Sequence, residues 1–215
     1  MISKAKNYIL DFLNQQKNHR LTFHNFAYIE RWIAMIDEIG QSMEYSDEVI
    51  QTAQLTANFV VGASHSETME LNILSKAIAD EFFSNNDVPI ELCQSVFVLL
   101  SNYYNGKSTD TEEAKLLFDS ENIVTYAKDF EMGNALQRLE WEMIHKKELT
   151  TGEWAQAQLQ KLLATRLILS YSKLNFEEVI SQNIIDMKKI VMKNINNLGE
   201  MELDESFRNW KNEFL

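Results

Sequence analysis

Apolar positions along this chain recur every three or four residues, which is the signature of helices with one buried face. A first helix is predicted over 3–16, with Ile9, Leu10 and Leu13 on one side. A second runs from near Thr22 to about Ser42 and carries Tyr28, Trp32, Met35 and Ile39. The next spans about 46–61 and ends in Ala57-Asn58-Phe59-Val60-Val61, with Gly62 placed to break it. Ser64 and Glu67 have capping-box spacing, in front of a helix that carries Leu71, Leu74, Ile78 and Phe82. Asp87-Val88-Pro89 opens another, because proline is tolerated in a first turn.

The clearest loop is 105–110, followed by a second capping box at Thr109 and Glu112. Helices are then expected at about 110–118, 121–128, 130–147 and 151–172, the last capped by Thr150 and Glu153. A final helix over 176–197 carries Phe176, Ile180, Ile184, Met187, Val191, Ile195 and Leu198, one continuous apolar stripe. Such a stripe packs on its own domain or forms a dimer seam. Residues 203–215 read as a weak short helix. No segment alternates as a strand would. The expectation is an all-α bundle of about eight or nine helices, a single domain over 1–215 with 176–215 as a C-terminal helical extension packed on it.

Composition agrees. One proline and 6 glycines are too few for the turns of an all-β chain. The net charge of -12 excludes a sequence-independent nucleic-acid binder and an anionic-membrane partner. Cys93 is the only cysteine, so there is neither an internal disulfide nor a thiolate cluster, and its apolar neighbours mark it as a small core residue. No signal-peptide run or membrane span is visible, which makes the cytoplasm the expected compartment.

Thr22-Phe23-His24-Asn25-Phe26-Ala27-Tyr28-Ile29 resembles the Tyr-His-Asn-x-x-His-Thr entry of one group of HD-superfamily metal-dependent phosphohydrolases. Ser46-Asp47-Glu48 resembles that family's Ser-x-Glu loop, and Ala57–Val61 its Ala-x-Phe-His-Asp element. Leu71–Ala79 falls on its His-Glu-x-x-Ser-x-x-Ile-Ala, and Asp119-Ser120-Glu121 on its Asp-Ala-Asp. Glu153–Leu162 is similar to its Glu-Trp-x-x-x-Gln-x-x-Phe-Leu. The resemblance covers roughly 20–195 and implies an HD-type helical fold.

It also implies that the chemistry is gone. The family's first ligand histidine falls on Tyr28, its His-Asp doublet on Val60 and Val61, and a further pocket histidine on Leu71. Its final aspartate falls on Glu121, with Asp119 beside it. Valine and leucine offer no lone pair, and neutral tyrosine is a poor ligand. The expected remnant pocket is therefore His24, Tyr28, Val60, Val61, Leu71, Asp119 and Glu121, with no metal and no cofactor.

Four histidines remain as candidates for chemistry. His24 lies one turn before Tyr28, where the two form a buried hydrogen-bonded pair or line a pocket. His65 is a solvated turn residue or a substitute ligand. His19 reads as surface, and His145 suits a helix's last turn. Asp119 and Glu121, two apart, point to different sides of a helix. Gly106-Lys107-Ser108 lacks the first glycine of a phosphate loop.

Three functions stay open. The first is a degenerate HD-type binding or regulatory module for a protein partner or small molecule. The second is a phosphohydrolase with a divalent metal held by His24, His65, Asp119 and Glu121. The third is a homodimer built on the 176–198 stripe.

Overall fold

The computed structural model describes residues 1–16, 20–64, 70–105 and 110–198. Among these there are nine helices and no strands: α1 Ile2–Gln16, α2 Phe26–Ser42, α3 Asp47–Ala63, α4 Leu71–Ser84, α5 Ile90–Tyr104, α6 Glu112–Tyr126, α7 Phe130–His145, α8 Thr151–Ala164 and α9 Ser170–Leu198. His19, His65, the 106–109 part of the predicted loop and the short helix at 203–215 lie outside the described residues, as do the side chains of Ile195 and Leu198.

α3 is the axis of the bundle. It packs against α1, α2, α4, α5 and α6. That position explains its apolar run and the burial of nearly every residue along it, including Thr52, Gln54, Thr56 and Asn58. Thr56 and Asn58 place their donors on carbonyls four residues back, which lets polar groups sit in the core. One apolar cluster runs from Ala5 to Val191. A smaller one joins α7 to α8 through Trp141, Leu149, Trp154 and Ala157.

Several predicted ends move, each for a visible reason. α2 starts at Phe26, not Thr22, because Asn25 is the cap and accepts from the Tyr28 N–H. The Thr22 hydroxyl is taken by the Leu136 carbonyl of α7. Gly62 does not break α3. It lies inside the helix, where a Cβ would stand 3.0 Å from Ile9 Cδ1 of α1. Ser64 ends α3 rather than opening α4, and Glu67 is outside the described residues. Pro89 sits just before α5, not in its first turn. The cap of α6 is Thr111, two residues after the expected Thr109, which is also undescribed. The Thr150–Glu153 capping box forms as expected.

Two expected helices merge into α6. Ser120, between the two expected helices, donates its hydroxyl to the Leu117 carbonyl and accepts from Trp32 Nε1 of α2, so it is satisfied in a continuous helix. Conversely, the predicted 151–172 helix stops at Ala164, and α9 starts at Ser170, six residues early. The stripe of α9 turns inward, with Phe176, Ile180, Met187 and Val191 buried. α9 packs on α8, α6 and α2.

Candidate functional site

α2, α3 and α6 pack pairwise, and they carry Tyr28, the Val60-Val61 pair and the Asp119–Glu121 segment. The site is best built outward from Glu121, whose Oε1 accepts a 2.6 Å hydrogen bond from the Tyr103 hydroxyl of α5. Tyr28, Tyr104 and Tyr126 also lie close enough for the Glu121 charge to raise their pKa values, after burial, which is the larger cause for each. Burial pushes Glu121 itself up to about 7, against the opposing pull of the Tyr103 hydrogen bond and of His24.

Glu121, Tyr103, Tyr104, Thr125 and Tyr126 are half-buried. The packing beside them is aromatic. Tyr104 stacks edge-on against Tyr103 at 5.1 Å between centroids, Tyr103 neighbours Trp32 at 6.3 Å, and Trp32 neighbours Tyr28 at 5.8 Å. Trp32 and Tyr28 are closed off from solvent.

His24 is half-buried, and its ring meets Tyr28 edge-on at 5.3 Å. The expected His24–Tyr28 hydrogen bond is absent. Tyr28 instead shares a 3.1 Å hydrogen bond with Thr125 Oγ1, and His24 Nδ1 bonds to Glu140 Oε1 of α7. The second Glu140 oxygen accepts the Phe23 and His24 N–H groups. Burial alone would raise the Glu140 pKa, but the His24 charge and these hydrogen bonds outweigh it and hold the carboxyl below its ordinary value.

The other expected pocket residues part company. Asp119 turns away from Glu121 and accepts the Ile168 and Leu169 N–H groups ahead of α9. Val60 and Val61 are core residues, 6% and 1% exposed. Leu71, in the first turn of α4, is half-exposed and is not part of the apolar cluster. The structure thus gathers His24, Tyr28 and Glu121, and sends Asp119 elsewhere.

No family model, curated protein or solved structure matches this chain.

The HD-superfamily resemblance therefore rests on the residues quoted above. The donor set does not fit that family's metal. Among the described residues, no three His, Cys, Asp or Glu side chains come together as an ion would need. Tyr28 is engaged with Thr125, and both oxygens of Asp119 are engaged with backbone. Among the described residues no helix is long and apolar enough to cross a membrane.

Glu140, Tyr103 and Thr125 were absent from the expected pocket. A signal for Glu140 existed. It occupies the apolar stripe of α7 with Phe130, Gly133, Gln137 and Trp141, where an unpaired carboxylate would be costly. Nothing local marks Thr125.

Proposed function

We propose that this chain is an HD-type helical domain that has given up the family's hydrolytic metal site and acts by binding, with the half-buried cluster around Glu121 as its candidate ligand site. The observation that carries this reading is the fate of the positions aligned with ligands. Tyr28 and Asp119 are committed to partners inside the protein, Val60 and Val61 are core, and of the aligned polar residues Glu121 alone keeps partial exposure, with Tyr103 donating to it. One carboxylate cannot supply the three or so protein ligands that an active divalent site needs.

The test is elemental analysis of the untagged protein after incubation with manganese, nickel, zinc or iron, together with hydrolysis of p-nitrophenyl phosphate and nucleotides. Absence of metal-dependent turnover is the expected result. Near-stoichiometric metal with turnover would overturn the reading and restore a phosphohydrolase with a rearranged site.

A further inference from the structure

The outer face of α7 is apolar. Met132, Leu139 and Met143 are 65%, 45% and 37% exposed, and Leu136 beside them is half-buried. They stand at gaps of four, three and four, so they form one stripe down the helix. The opposite side of α7, with Phe130, Gln137 and Trp141, is the side buried in its own bundle. Aligned exposed side chains of this size mark a contact surface more than a scatter of single residues does, and methionines adapt readily to a facing surface.

The stripe ends in opposite charges. Asp129 stands three residues before Met132, and Lys146 three residues after Met143, and both are exposed. The six positions have gaps of three, four, three, four and three, an order that reads the same from either end. A second α7 laid antiparallel therefore meets the first in register. Leu136 falls opposite Leu139, Met132 opposite Met143, and Asp129 opposite Lys146, each pair twice. A parallel copy would set Asp129 on Asp129 and Lys146 on Lys146.

We infer that this chain forms a homodimer through α7, with the two helices antiparallel across a two-fold axis between Leu136 and Leu139. The contact is self-complementary, as a closed two-fold interface requires. The apolar stripe of α9, the seam expected from the sequence, is buried on its own bundle instead. The outer residues of α9, Leu174, Ile185 and Met192, have Glu178 and Lys188 between them and make no continuous seam. From Met132 to Met143 is about 16 Å of helix. That contact is smaller than the ~800 Å² per partner of a standard interface, so the dimer is weak and reversible. The net charge of -12 on each copy opposes association in general, which makes the matched ends the feature that selects this pairing.

The experiment is sedimentation velocity of the full chain at physiological salt, from about 5 to about 500 μM, since interfaces of standard size reach micromolar or tighter and this one is smaller. The wild type is expected to shift from monomer to dimer across that range. Leu139→Glu, at an exposed position, should remain monomeric with an unchanged melting temperature. Asp129→Lys and Lys146→Asp should each weaken the dimer at least about tenfold, because each sets like charges together at both ends. An equimolar mixture of those two variants should associate again, because every end pair is then opposite in sign. A wild type that stays monomeric, a dimer untouched by Leu139→Glu, or a mixture no better than its components would each overturn the proposal. A monomeric wild type whose Leu139→Glu variant melts earlier would also overturn it, and would assign the face to another part of the same chain. The proposal is independent of the ligand reading above, and the metal and turnover assay does not bear on it.

Discussion

Glu140 holds His24 at two points, ring and backbone amide, across 116 residues of sequence. With the Phe23 amide this makes three hydrogen bonds to one carboxylate, and they tie α7 to the segment that leads into α2. Glu140→Ala should therefore destabilise the fold by about 2–4 kcal/mol, since it strands buried donors. Glu140→Gln, which keeps one acceptor, should cost about half as much. The sign with pH follows from the lowered carboxyl. Its contribution is present above the ordinary glutamate range and is lost as pH falls through the depressed folded value. Chemical denaturation between pH 7 and pH 3 should show the wild type losing its advantage over Glu140→Gln on the acid side.

Glu121 behaves in the opposite way. Its folded pKa is raised from 4.5 to about 7, so the protein is favoured by its protonated form below the lower value and loses that favour as pH rises to about 7. Glu121→Gln removes the ionisation while keeping an acceptor for Tyr103. The variant should match the wild type near pH 4 and exceed it by about 2 kcal/mol at pH 8, after allowance for the residual exposure of the carboxyl. Equal stabilities at both pH values in urea melts would show that Glu121 is not held near neutral.

Asp119 joins α6 to the start of α9 through the Ile168 and Leu169 amides. Asp119→Ala should cost about 2–4 kcal/mol and free the 165–169 connection first. Hydrogen exchange should then speed up at Ile168 and Leu169 before it does in α3.

The pair Val60→His with Val61→Asp should not confer hydrolysis. Tyr28 remains engaged with Thr125, and Val61, at 1% exposure, sits where an aspartate would be buried without a partner. Loss of about 3 kcal/mol or more is expected, with no metal-dependent phosphatase activity. Activity with bound manganese would mean the rest of a metal site survives.

How much of this was legible in the sequence depended on how local each signal is. The all-helical class and the Thr150–Glu153 box are set by neighbours within a turn or two, and they read correctly, as did the apolar stripe of α9. The break between α8 and α9 did not. The stretch from Lys161 to Ser172 has neither glycine nor proline, and its interruption is held from α6 by Asp119. The same reason hid half of the cluster. The family resemblance pointed to His24, Tyr28 and Glu121, whereas Thr125 and Glu140 acquire their roles only when α6 and α7 come against α2. Asp119 was misplaced because a carboxylate two residues from Glu121 says nothing about which partner it will meet.

Gly40 and Gly62 do unusual work. Glu44, Asp129 and Lys146 adopt left-handed backbone that glycine would take more readily, at a cost of about 1–2 kcal/mol each. Gly40 and Gly62 meanwhile lie inside helices, where an added Cβ would stand 2.6 Å from Ile50 and 3.0 Å from Ile9. At Gly40 and Gly62 glycine supplies thinness, while these three left-handed turns fall to other residues. The bundle's interhelical clearances, rather than its corners, are thus the places where a single added methyl would be felt.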